Sequence, residues 1–285
     1  MLSVVPRTRL PASPDELLGR APELEALPVV AQRVLGVLRD ELASIDEIAF
    51  LLGTDQALAS TVLRYANSAL AMPNRRIADV REAVARIGVV SLGSILVRAC
   101  AGPMLDRGLP PYALSRRVAW RHAATASVAA RGLAALVRSP GAAEAGVAGL
   151  LHDVGKLVLA SVVPEAAAEA VAVARGRRVP VWQAEQHVLG FHHGAVGAAL
   201  LASWGLPEAV IDAVAHHHQP RDTVNPLATI VHLADAAAHA VGAVGSAGAC
   251  PQPDWDPAAA EAVGATPEGF QRFLANLRCV DEGEL

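Results

Sequence analysis

The chain has 285 residues, 53% of them hydrophobic but only 4% aromatic, and a formal net charge of −4. That length can bury one large core or two smaller ones, and with so few rings the core must be Ala, Val and Leu, which suits helix packing rather than aromatic-rich strands. The mildly acidic balance excludes the broad attraction behind general nucleic-acid binding, and three scattered Cys without a CxxC pair exclude a disulfide framework and a cysteine zinc site.

Residues 1–20 carry several Pro and no apolar h-region, so a leader without a signal peptide and a cytoplasmic location are expected. Helical signals then follow closely. "LPVVAQRVLGVLRDEL" puts Val30, Val34, Val37 and Leu38 on one face. "SIDEIAFLLG" opens with Ser44 and Glu47 at capping-box spacing and closes on Gly53. "TDQALASTVLRYANSA" carries a stripe of Leu58, Val62, Leu63 and Ala66, and Asn67 and Ser68 are read as helix-ending residues. "ADVREAVARIG" has Asp79 and Glu82 as its start and Gly88 as its stop, and "SLGSILVRACAG" is one further helix, with Cys100 as a small buried hydrophobe.

The Pro- and Gly-rich "GPMLDRGLPPY" separates this lobe from the next. A long helix is predicted from Leu114 to Val137, followed by one carrying "GLLHDVGKLVLA". His152, Asp153 and Lys156 interrupt that apolar run, so no clean membrane-length stretch is expected. "PEAAAEAVAVARG", "PVWQAEQHVLG", "HHGAVGAALLASWG", "LPEAVIDAVAHHH" and "NPLATIVHLADAAAHAVG" read as five more helices. "SAGACPQPDWDP" is a linker, and 257–280 hold two short helices. Trp120, Trp182 and Trp204 are read as core anchors.

Charge inside apolar helices marks the candidate site. An unpaired buried ion costs several kcal/mol, yet His152 and Asp153 sit side by side in the most apolar run and Asp235 lies within "VHLADAA". If one helix carries both, His152 and Asp153 point about 100° apart and can address two neighbouring metals. His122, His193, His217 and His218 supply further ligands of the commonest type. A metal-free network is the competing reading: Asp235 has Arg64, Arg98, His232 and His239 as candidate partners, and His192 and His216 compete in register with their neighbours.

The order His … His-Asp … Asp resembles the HD superfamily of metal-dependent phosphohydrolases. "DQALASTVLRYANSA", "REAVARIG", "GLLHDVGK" and "HHGAVGAALLASWGLPEAVIDAVAHHHQP", in that order, resemble an HDOD domain, the HD-related output domain of bacterial signalling proteins. The resemblance implies an all-α, two-lobed HDOD fold over 21–245, with an N-terminal lobe at 21–110, an HD-like lobe at 111–245, and linker and terminal helices at 246–285. It implies a metal set of His122, His152, Asp153, His193, His217, His218 and Asp235, with Glu185 as an eighth candidate and two ions of iron or manganese. Asp153 and Lys156 are the implied catalytic pair, Lys156 meeting a phosphate oxygen. The chain departs from the cyclic-dinucleotide phosphodiesterases of the superfamily after its His pair, where "HHQPRDTVNP" stands in place of a GYP loop. Two functions follow. One is a regulatory module acting through a signalling partner protein or a nucleotide ligand, without membrane or nucleic acid. The other is a phosphohydrolase for a nucleotide or cyclic dinucleotide.

Overall fold

The computed structural model describes residues 10–20, 28–38, 44–68, 76–88, parts of 91–99, 108–139, 142–243 and 256–280. Cys100, Cys250, Arg98 and the expected linker up to residue 255 lie outside them. Among the described residues the fold is all-α; the sole strand-like feature is an isolated bridge between Leu109 and Leu114.

The first lobe contains α2 (Val29–Val37), α3 (Ile45–Gly53), α4 (Gln56–Ala66) and α5 (Val80–Ile87). Their ends follow local chemistry. Ser44 accepts from the Glu47 N–H, Asp55 from Ala57 and Leu58, and Asp79 from Glu82, each filling orphan helix donors. Gly88 ends α5 at φ 79°, a left-handed conformation that costs glycine little. The core between these helices includes Val34, Ile48, Leu52, Val62 and Val84, joined by Leu92 and Leu96. Asn67 does more than end α4. Its side-chain amide donates to the Leu63 and Ile77 carbonyls at 2.8 and 2.7 Å and accepts from the Ile77 N–H at 2.8 Å, tying α4 to the approach to α5.

The second lobe is built on α6 (Arg116–Leu136), α7 (Ala142–Leu151), α8 (Val154–Val162), α9 (Pro164–Arg177), α10 (Val181–Leu189), α11 (His193–Ser203), α12 (Glu208–His216) and α13 (Pro226–Ala240). Helices α14 (Pro257–Ala262) and α15 (Pro267–Asn276) add Ala260 and Phe270 to its core. The stretch read as a leader is in part structured: Ser13 caps α1 (Pro14–Leu18), and Leu17 and Leu18 enter this same core. Pro at the helix start and two consecutive leucines explain it.

Small residues set the helix spacing. A Cβ at Gly149 would lie 2.7 Å from the Ala126 carbonyl oxygen, so α7 rides directly on α6. A Cβ at Gly155 would lie 2.0 Å from the His193 carbonyl oxygen, so α8 crosses the start of α11 in backbone contact. These two glycines flank His152 and Asp153 and bring four helices together around them. The pair does not lie within one helix, as the apolar run suggests; both residues form the turn between α7 and α8. The 19-residue stretch Glu144–Val162 does reach the length and hydropathy of a membrane span, against expectation, but it is broken by that turn and 72% buried inside the protein.

Candidate metal centre

All seven sequence-identified ligand candidates converge at one place. His122 comes from α6, His152 and Asp153 from the α7–α8 turn, His193 from the first position of α11, His217 and His218 from the end of α12, and Asp235 from α13. His152 and His217 are fully buried, and His122, His193 and Asp235 are no more than 5% exposed.

Two groups of donors share Asp153. On one side, His122 Nε2 lies 3.1 Å from Asp235 Oδ1, 3.2 Å from His152 Nε2 and 3.8 Å from Asp153 Oδ2. His152 Nε2 is 3.6 Å from both Asp153 Oδ2 and Asp235 Oδ1. On the other side, His193 Nε2 is 3.2 Å from Asp153 Oδ1 and 2.9 Å from His218 Nε2. His217 completes that side: one donor atom each from His193, His217 and His218 lies within 4.8 Å of the others. The two oxygens of Asp153 therefore face different histidine sets.

The far ring nitrogens of three of these histidines are fixed, while that of His122 has no hydrogen-bond partner. His152 Nδ1 bonds the Gly149 carbonyl at 2.8 Å, His217 Nδ1 the Val214 carbonyl at 2.7 Å, and His193 Nδ1 the Glu185 carboxylate at 2.6 Å. A carbonyl or carboxylate there selects the Nδ1–H tautomer and leaves the Nε2 lone pair facing inward, as metal-binding imidazoles require. His217 Nε2, Asp153 Oδ1 and Asp235 Oδ1 are buried without a hydrogen-bond partner. Lone pairs crowded this closely repel one another unless a proton or a cation lies between them. The donor set, imidazole plus carboxylate with orphaned buried atoms, fits a divalent cation.

Charge is displaced accordingly. Burial alone would raise the Asp235 carboxyl, but His239, His122 and His152 hold it well below the usual carboxylate range. Burial works against ionising Asp153 too, and Lys156, His152 and His193 outweigh it. Burial opposes a charge on His152, yet Asp153 and Asp235 raise it to about 9. Burial, reinforced by neighbouring imidazoles, pushes His217 and His218 well down, so both stay neutral. Lys156 Nζ donates to Asp153 Oδ2 at 2.7 Å.

The roles of several participants, and the part played by Tyr112, escape sequence reasoning. Glu185 is in the site, but both its oxygens are engaged: Tyr112 OH donates to Oε1 at 2.8 Å, and the His193 N–H donates to Oε2 at 2.8 Å. It orients His193 and is not positioned as a free ligand. His232 Nδ1 bonds the His217 carbonyl at 2.8 Å, and His239 Nε2 stands 3.4 Å from Asp235 Oδ1, so His122, Asp235 and His239 form a third cluster of donors. The family resemblance pointed to Glu185 and helical spacing to His239; His232, a candidate partner of Asp235, bonds the His217 backbone instead, and Tyr112 had no signal. Of the three tryptophans read as anchors, Trp204 is a core anchor, while Trp182 stacks on His218 with ring centres 5.7 Å apart and Trp120 lines a cleft.

A sequence profile of the HDOD domain family matches residues 24–220. An uncharacterized protein of Treponema pallidum is 30% identical over 212 residues, 74% of this chain; the match spans 40% of that protein's length. An HDOD domain protein of unknown function from Geobacter sulfurreducens superposes with a TM-score of 0.65 at 25% identity, covering 88% of this chain and 84% of its own. A protein of Shewanella amazonensis, provisionally named a phosphohydrolase, superposes with a TM-score of 0.67 at 21% identity, covering 91% of this chain and 93% of its own, and shares the fold.

Proposed function

This chain belongs to the HDOD domain family, and from that premise we propose that it is a signal-transduction protein whose second lobe is a metal-dependent phosphohydrolase for a nucleotide-type phosphoester. His122, His152, Asp235 and Asp153 Oδ2 would hold one cation, and Asp153 Oδ1, His193, His217 and His218 a second, iron or manganese in each case. Bound there, the cations supply Lewis-acid charge against phosphate oxygens.

One observation carries the reading: inward-facing Nε2 atoms crowd two ionised aspartates while His217 Nε2, Asp153 Oδ1 and Asp235 Oδ1 lack any hydrogen-bond partner. The chain's own residues divide the work. Glu185 and the Gly149 and Val214 carbonyls orient the ring nitrogens. Lys156 holds Asp153 and offers its remaining donors to a phosphate oxygen. The apolar helices around the cluster exclude water and strengthen each charge interaction.

Protein purified without a His-tag should contain about two metals per chain by elemental analysis and hydrolyse bis(p-nitrophenyl) phosphate. Asp153→Ala should lose both properties. Metal-free protein, or turnover surviving in Asp153→Ala, would sink the proposal. Bound metal without turnover would favour a regulatory module. The turn Pro220–Asp222, standing where a GYP loop would lie, supports that second reading.

A further inference from the structure

A cleft apart from the metal centre opens between the two lobes. Its volume is about 350 Å³, within the size range of small-molecule sites. The first lobe contributes Arg64 and Tyr65 of α4, Ser68 just after it, and Ile95; the second contributes Trp120 of α6 and Leu150 of α7. Ile95 and Leu150 are buried and make the floor apolar.

Three features describe an occupant. Tyr65 and Trp120 are half-buried rings on the cleft wall, suited to stacking with a flat apolar body. Arg64 is exposed; its Nη2 donates to Thr61 Oγ1 at 3.1 Å, and no carboxylate pairs with it among the described residues. A guanidinium without an acidic partner among the described residues, beside an aromatic wall, fits one phosphate or carboxylate. Ser68 Oγ is buried and has no hydrogen-bond partner, an arrangement that costs free energy until a ligand group fills it.

We propose that this inter-lobe cleft binds a small molecule with a planar aromatic body and a single anionic group. Trp120 and Leu150 stand two residues before His122 and His152, so the occupant touches both lobes and the two helices that lead into the metal centre. The cleft is independent of whether that centre turns over a phosphoester.

Calorimetric titration of the full chain with guanosine 5′-monophosphate and with indole-3-carboxylate tests this, with guanosine and indole as uncharged controls. At least one anionic probe should bind saturably and its control should not; which probe binds separates a phosphate source from a carboxylate source. Arg64→Ala should weaken binding roughly tenfold to a hundredfold, and Arg64→Lys should recover part of it. Asp153→Ala, which removes the shared metal ligand, should leave the affinity unchanged. No saturation up to about 5 mM, full affinity in Arg64→Ala, or loss of binding in Asp153→Ala would each overturn the assignment.

Discussion

The two lobes solve the same packing problem differently. Among the described residues, every buried polar or charged side chain apart from the Ser68 hydroxyl lies between His122 and Asp235, in the second lobe. The first lobe buries Val, Leu, Ile and Ala behind capped helix ends, and its stability needs nothing beyond apolar burial and satisfied backbone. The second lobe buries carboxylates and imidazoles in the same kind of helical core. Such a cluster is expensive, and a lobe that keeps it spends stability on chemistry that the first lobe does without.

Cation binding should break this contrast most strongly. With manganese about a thousandfold above its Kd, thermal or chemical unfolding should show a gain of about 4 kcal/mol, and Asp153→Ala should abolish the gain. Next in size is the helix approach that builds the site. Gly155→Ala drives a methyl group into the His193 carbonyl and should destabilise by about 3 kcal/mol. Gly176→Ala is the control: nothing lies within 4 Å of its added Cβ, and a gain of up to about 1 kcal/mol is expected.

Asn67→Ala tests the first lobe. Removing its amide leaves the Ile77 N–H and carbonyl without their side-chain partner, a loss of about 2 kcal/mol. Metal content, read by elemental analysis, should not change. A change in metal content would show that the lobes are not the separate solutions their cores suggest.

The sequence discloses the two lobes unequally as well. Helix starts at Ser44 and Asp79 and the stop at Gly88 were legible because caps are local chemistry. The seven converging residues were legible through resemblance in motif order, not through periodicity. What stayed hidden depends on contacts distant in sequence: Tyr112 reaching Glu185, and His232 reaching the His217 carbonyl. The turn at His152 and Asp153 was hidden for another reason. Apolar residues on both sides continue the helical pattern, and only the close crossing at Gly155 shows why the chain breaks there.

The smallest effect concerns a carboxylate solved without buried imidazoles. Asp256 caps α14 by accepting from the Ala258 and Ala259 N–H groups, both at 3.1 Å, and pairs with Arg221. The Arg221 guanidinium first, with the helix N–H groups, holds its carboxyl below the ordinary value against the opposing effect of burial. A folded-state pKa below the unfolded one means that the stabilisation is complete above about pH 4 and is lost as pH falls through the folded value. Asp256→Ala should therefore cost about 1 kcal/mol at neutral pH, with the gap to the unmodified protein closing in acid. Denaturant titrations at several pH values, with and without manganese, measure this. Because helix donors and an arginine already satisfy Asp256, its increment should be the same with and without the cation. A cation-dependent increment would mean that the surface cap and the buried cluster are coupled, and the division between cheap and costly carboxylates would fail.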